Sequence, residues 1–381
     1  MEALIRRIRR EGPVPFSAFM DEALYGSVGF YTRGGGAGRM RDFITSPELG
    51  GLFGSVLAGA LDAWWREMGS PDPFLVAECG AGPGALAQSI LAATPACGPA
   101  LRYLLIDRAE PMRRAQRVRG LPMSEPAMVL GGFGGSVATS DDGESDDPAP
   151  ALGQGPLCTS LSELPEVRVH VVLANELLDN LAADLCQRAD DEWLEVRVGL
   201  GDADDFLEVL VPAAPELDSL ATRLAPAAET GSRIPVQAAA GLWLRSALDR
   251  TVAGGRIVGI DYARSTSAMA TLPWQQWLRT YRGHGRGGHP LLDPGTTDIT
   301  VDVALDQLAL VRRPTADQSQ ADFLRAHGIE GMAADAAATW RERADIGDLP
   351  ALRARSRAHE AKSLCDPEGL GGFRVLEWIG R

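Results

Sequence analysis

The stretch Val76-Ala77-Glu78-Cys79-Gly80-Ala81-Gly82-Pro83-Gly84-Ala85 constrains the fold of this chain more than any other. An apolar run from Phe74 to Ala77 ends in a carboxylate, three glycines follow at alternate positions, and a helical pattern begins near Ala85. The pattern predicts a strand that turns tightly into a helix. Glycine permits positive φ and lets a ligand approach the backbone with no Cβ in the way. The spacing is E-x-G-x-G-x-G, whereas a dinucleotide pyrophosphate is seated by G-x-G-x-x-G.

Apolar runs alternate with helical stretches along the rest of the chain. Leu101–Ile106 reads as a buried strand ending at Asp107, and a third strand is expected around Ala127–Leu130. Val169–Ala174 reads as a buried strand ending at Asn175-Glu176. Residues 193–198 and 206–211 read as a hairpin, 236–253 as a helix, and Gly255–Tyr262 and 372–378 as further strands. Such alternation predicts an α/β fold with a mainly parallel, doubly wound sheet. Residues 1–70 are expected to form an N-terminal helical extension and a pocket-covering loop. Within it, Ser46-Pro47 reads as a helix start, with Leu52, Phe53, Val56, Leu57, Ala60, Leu61 and Trp64 on one stripe. The main domain, 71–381, carries an acidic insertion at 132–156, read as mobile, and further insertions around 190–235 and 263–300, the last loop-rich.

The formal net charge of −14 disfavours a nucleic-acid partner. No apolar stretch reaches the roughly 18 residues of a membrane span. The five cysteines show no C-x-x-C spacing and the five histidines no metal spacing, so no metal site is expected; an odd thiol count suits a reducing cytoplasm. The arginine-rich start reads as a surface helix with Leu4, Ile5 and Ile8 on one face.

Ligands of open α/β sheets lie beyond the carboxyl ends of the strands. Four such ends here carry polar groups: Glu78, Asp107, Asn175-Glu176 and Asp261-Tyr262. Asp107, closing the second strand, suits the hydroxyls of a ribose. In Asn175-Glu176-Leu177-Leu178-Asp179 a helical turn would place Glu176 and Asp179 three residues apart, facing one way. Two carboxylates so placed can hold a guanidinium or amine by charge-assisted bonds. The short glycine loop is similar to that of S-adenosylmethionine methyltransferases.

The chain resembles the MidA-like S-adenosylmethionine-dependent methyltransferase family, which includes the mitochondrial complex I assembly methyltransferase. The resemblance rests on Gly12–Phe16, Tyr25–Tyr31, Asp42-Phe43-Ile44-Thr45-Ser46-Pro47-Glu48, Glu78–Gly84, Asn175–Asp179, Asp261-Tyr262, Tyr281-Arg282-Gly283-His284, Asp298-Ile299-Thr300 and Asp366–Leu376. It implies a class I methyltransferase fold, S-adenosylmethionine as donor, a protein or peptide arginine as acceptor, and a homodimer. It also implies that Glu78, Gly80, Ala81, Gly82, Gly84, Asp107 and Asn175 hold the donor. Glu176 and Asp179 would be catalytic, and Thr45, Ser46, Glu48, Asp261 and Tyr262 would line the acceptor pocket. The family pattern His-Val-Asp-Phe is replaced by Asp302-Val303-Ala304-Leu305, and the loop lacks the family's Arg. Two alternatives stay open at this point: methylation of a small molecule, and a donor-binding assembly factor with little turnover.

Overall fold

A computed structural model of the chain describes residues 1–36, 46–131, 152–283 and 285–381. Thr45, Asp42 and most of the acidic insertion lie outside the described residues, as does His284. The contacts divide the chain into two units.

One unit comprises 45–175, 247–260 and 315–381. Its sheet has seven strands: β1 (Phe74–Cys79), β2 (Leu101–Ile106), β3 (Leu157–Leu161), β4 (Val169–Asn175), β5 (Thr251–Asp261), β6 (Ala316–Ser319) and β7 (Arg374–Ile379). Their order is β3-β2-β1-β4-β5-β7-β6. Parallel pairing joins β3 to β2, β2 to β1, β1 to β4 and β4 to β5, and β6 runs antiparallel to β7. Every residue of β1 and β2 is buried, Glu78 and Arg102 included, as befits largely apolar central parallel strands. The order of the strands reverses direction between β1 and β4, so the carboxyl ends of these two strands form a topological switch point.

Two expectations are corrected here. Residues 126–130 form a short helix, Pro126–Leu130, and the strand beside β2 is β3, which comes after the acidic insertion. A four-residue apolar run does not distinguish helix from strand, and Pro126 presets a helical first turn. The helix expected to run on from Ser46 is also broken. A single turn, Ser46–Leu49, is followed at Gly50 by a second helix, α1 (Gly51–Glu67), which carries the buried stripe from Leu52 to Trp64. The break is built around Glu360, whose carboxylate accepts the Leu52 N–H at 3.0 Å. A Cβ at Gly50 would lie 2.2 Å from that carboxyl carbon. Ser46 is buried and donates to Gln320 at 3.3 Å.

The other unit comprises 1–44, 176–246 and 261–314. An antiparallel sheet is built on Trp193–Leu200, which pairs with Asp184–Arg188, with Phe206–Pro212 and with Val14–Pro15. The 193–212 hairpin is as expected. Residues 263–300 are more ordered than their composition suggests: Leu278–Arg282 pairs antiparallel with both Asp298–Val301 and Gly285–Arg286. The core of this unit gathers Phe16, Phe19, Met20 and Leu24 with Val196, Val198, Trp277, Ile299 and Val301. The first helix, Glu2–Glu11, buries Leu4 and Ile8. No described helix is long and apolar enough to cross a membrane.

Candidate functional site

The glycine loop leaves β1 with three left-handed residues, Gly80 (φ 71°), Gly82 (φ 50°) and Gly84 (φ 83°), before helix α2 (Ala85–Ala92). Only glycine adopts this conformation at no steric cost. Gly82 and Gly84 differ in what a side chain would meet. A Cβ on Gly84 would press on Leu105 Cδ2 at 3.0 Å, so this glycine serves the packing of loop on sheet. A Cβ on Gly82 would meet nothing within 4 Å, because this glycine borders open space. The Ala81 N–H donates to Ile106 O at 3.0 Å and ties the loop to the end of β2.

Asp107, just past β2, accepts the Gly82 N–H at 3.0 Å and the Ala109 N–H at 2.8 Å. Burial outweighs these bonds and lifts its carboxyl to about 6. Glu78 lies beneath the loop, 4% exposed, and accepts from Tyr103 Oη at 2.8 Å and from the Ala87 backbone. Burial lifts it to about 8. It therefore anchors both the strand and the start of α2.

Three residues that the sequence reading did not single out complete the loop's support. Gln116, fully buried, donates to Gly82 O at 2.7 Å and accepts from Ser160 Oγ at 2.5 Å. Arg119 donates to Pro83 O at 3.4 Å and to Gln88 at 3.0 Å, and stands 3.9 Å from Glu48. The one available signal was an amide on the buried face of the helix Glu110–Arg117.

The other unit holds a cluster of acids. The expected helical pairing of Glu176 with Asp179 is not what forms. Glu176 has φ 51°, and the helical turn spans only Leu178–Asn180. Asp261 gathers this turn instead: Oδ2 accepts the N–H groups of Leu178 (2.9 Å) and Asp179 (3.2 Å), and Oδ1 that of Tyr262 (2.9 Å). Asp261 is thus engaged by backbone, and its carboxyl is pushed well up by burial and then by the charges of Asp179 and Glu176. Asp179 is 3% exposed, and its Oδ1 has no hydrogen-bond partner. Burial lifts Asp179 to about 7, with the nearby Arg279 charge pulling it down and Asp302 pushing it up. Asn180 is fixed by bonds to Asp298 Oδ1 and Ile299 O, both 3.1 Å, and Tyr31 Oη donates to Asn180 at 2.9 Å. Arg279 lies 4.7 Å over the Tyr262 ring. Tyr31, Arg264, Arg279 and Asp302 were not foreseen as a group; they come from separate segments and no spacing joins them.

Residues 56–323 match a family described as "putative S-adenosyl-L-methionine-dependent methyltransferase". The chain belongs to this family. Its methyl donor is S-adenosylmethionine, and the methyltransferase fold expected from sequence is the one observed. A methyltransferase-like crystal structure from Burkholderia thailandensis, bound to S-adenosyl-homocysteine, superposes with a TM-score of 0.76 at 26% identity, covering 99% of this chain and 91% of that one. The protein named arginine methyltransferase NDUFAF7, mitochondrial, of mouse is 26% identical over 341 residues, 86% of this methyltransferase and 73% of its relative. The Drosophila melanogaster homologue is 27% identical over 315 residues, 78% of this chain and 66% of that protein.

The sheet unit fits the donor. The loop opens on space at Gly82, at the switch point of the sheet, with Asp107 beside it.

Proposed function

We propose that this methyltransferase transfers a methyl group to a guanidinium nitrogen of arginine in a protein or peptide. The observation that carries this reading is the Asp179 carboxylate, buried with one oxygen unpartnered and raised to about 7. The relatives' names support it. A buried carboxylate of this kind calls for a cationic partner.

The donor supplies an electrophilic methyl group on a sulfonium. Gly80, Ala81, Gly82 and Gly84 shape the loop that receives it, with Asp107 and Asn175 at neighbouring strand ends. Glu78, Gln116 and Ser160 hold that loop in shape.

Guanidinium nitrogens stay protonated and are poorly nucleophilic. Asp179 Oδ1 accepts a guanidinium N–H and orients the nitrogen; orientation can supply up to about 7–11 kcal/mol of a barrier. The same oxygen would take the nitrogen's proton as the methyl passes to that nitrogen and the donor's sulfur is left as a neutral thioether, a role suited to a carboxyl raised to about 7 and one that typically contributes about 10²–10⁴ in rate. Glu176 adds a second negative charge. Asp261 fixes the turn that carries Asp179, and Tyr262 is held beside it.

The test is transfer from labelled donor to lysate protein and to small-molecule extracts, followed by acid hydrolysis of the protein. Label recovered as methylarginine supports the reading. Label confined to small molecules, or donor binding with no transfer, overturns it. We further propose a cytoplasmic homodimer. The five cysteines are all free thiols, as a reducing compartment keeps them, although the curated relatives are named as mitochondrial. Light scattering and cell fractionation check this.

A further inference from the structure

Next to the proposed acceptor carboxylate the chain carries a guanidinium of its own. Arg279, on the strand Leu278–Arg282, is buried, and its charge acts on Asp179 more strongly than any other cation's. Yet its bonds go elsewhere. Nη2 donates to Asp302 Oδ1 at 2.5 Å, Nη1 to Gln276 O at 2.8 Å, and the guanidinium lies 4.7 Å over the Tyr262 ring. Nε is buried with no acceptor. Asp302 is 1% exposed, and its second oxygen accepts from Arg264 Nε at 2.7 Å. Among the described residues no ion pair joins Arg279 to Asp179, although Asp179 Oδ1 stands open.

A guanidinium bonded to Asp179 Oδ1 would occupy the one oxygen that stands open for an acceptor's guanidinium, and would neutralise the charge that attracts it. An unrestrained Arg279 would be a permanent intramolecular competitor of any arginine substrate, present at a high effective concentration. We propose that Asp302 is a positioning residue that holds Arg279 off the Asp179 carboxylate and so keeps that carboxylate for the acceptor's guanidinium. Arg264 Nε, bonded to Oδ2, fixes the Asp302 carboxylate with Oδ1 turned toward Arg279. This inference rests on the arginine-acceptor reading above.

The groups that face Asp179 are Arg279 and Asp302, Asp261 with Glu176, and the phenols of Tyr31 and Tyr262. Of these only Arg279 is a cation. Releasing it moves Asp179 in a single direction, downward.

The test compares the full chain with Asp302→Ala and with Asp302→Ala/Arg279→Met. Carbon-13 labelled aspartate, with the Asp179 signal assigned by loss in Asp179→Asn, reports its titration. Calorimetry with a short arginine-containing peptide, in the presence of S-adenosylhomocysteine, reports acceptor affinity. In Asp302→Ala the freed guanidinium pairs with Asp179, the titration midpoint falls by about 1–3 pH units, and peptide affinity falls about tenfold or more. In the double variant both return toward the parent values. Loss and gain of the two charges alone also move the midpoint, so peptide affinity is the deciding readout: a merely structural role for Asp302 predicts no recovery of that affinity on removing Arg279. An unchanged midpoint in Asp302→Ala, or no recovery in the double variant, overturns the proposal. Should Asp302→Ala not fold, Asp302→Asn gives the same comparison with a smaller fall, and an unmoved midpoint there refutes it equally. The titration needs no acceptor. Movement and recovery of the midpoint with no peptide binding to any variant would sink the arginine reading and leave the restraint standing, whereas peptide binding to the parent with an immobile midpoint would do the reverse.

Discussion

Replacing Gly82 and Gly84 separately by alanine separates the loop's two duties. Both residues have left-handed backbone, at φ 50° and 83°, and an L-residue there costs about 1–2 kcal/mol. At Gly84 the new methyl also meets Leu105 Cδ2 at 3.0 Å and Leu121 Cδ1 at 3.3 Å. Leu105 is fully buried in β2 and has little room to yield, so overpacking adds about 1–3 kcal/mol. Gly84→Ala is therefore expected to lose about 2–5 kcal/mol of stability. Gly82→Ala pays only the backbone term, because its methyl enters open space. That space is where the donor is proposed to lie, so Gly82→Ala should weaken cofactor affinity at least tenfold, about 1.4 kcal/mol. Urea unfolding measures the first quantity and calorimetric titration with S-adenosylhomocysteine the second. The reasoning is refuted if Gly82→Ala binds the product within about twofold of the parent, or if the two variants are equally destabilised.

Further outcomes follow from other contacts. Glu176→Ala should abolish methyl transfer while leaving donor affinity within a few-fold; surviving activity would place the acceptor elsewhere. The raised Asp179 carboxyl binds a proton more tightly in the folded chain than in the unfolded one, so it costs no stability below about pH 4 and progressively more as pH rises toward 7. Asp179→Asn should then stabilise the chain more at pH 8 than at pH 5, and urea melts at the two pH values that show the opposite order contradict the burial argument. Gln116→Leu removes the bond to Gly82 O and leaves Ser160 unpaired; product affinity by calorimetry should fall while the far-ultraviolet spectrum is unchanged. Glu360→Ala deprives the Leu52 N–H of its acceptor and should cost about 0.5–2 kcal/mol in urea melts with donor affinity retained.

What could be read in advance follows the range of the interaction involved. β1, β2 and β4 are central strands, so each is an apolar run closed by a polar residue, and the glycine loop lies within ten consecutive residues. The sheet's edge was less visible. β3 is only partly buried and stands beyond the acidic insertion, and the apolar Ala127–Leu130 was the nearer candidate. Asn175 to Asp179 was recognisable as a polar turn, but its geometry was not. Glu176 takes a positive φ without being glycine, and the turn is gathered by Asp261, more than 80 residues away. The contacts of Asp302 with Arg264 and Arg279 follow from the pairing of strands in a segment whose glycine and proline content reads as loop.

The placement of β7 has a consequence for how the protein is made. β7 lies inside the sheet, between β5 and β6, although the six other described strands of that sheet all precede it in the chain. Until Arg374–Ile379 emerges from the ribosome, β5 presents an unpaired row of N–H and C=O groups to the cell, a template for adhesion between nascent chains. A premature stop codon between positions 262 and 373 therefore yields a fragment with that edge exposed and prone to aggregate, even though every residue of the glycine loop has already been translated.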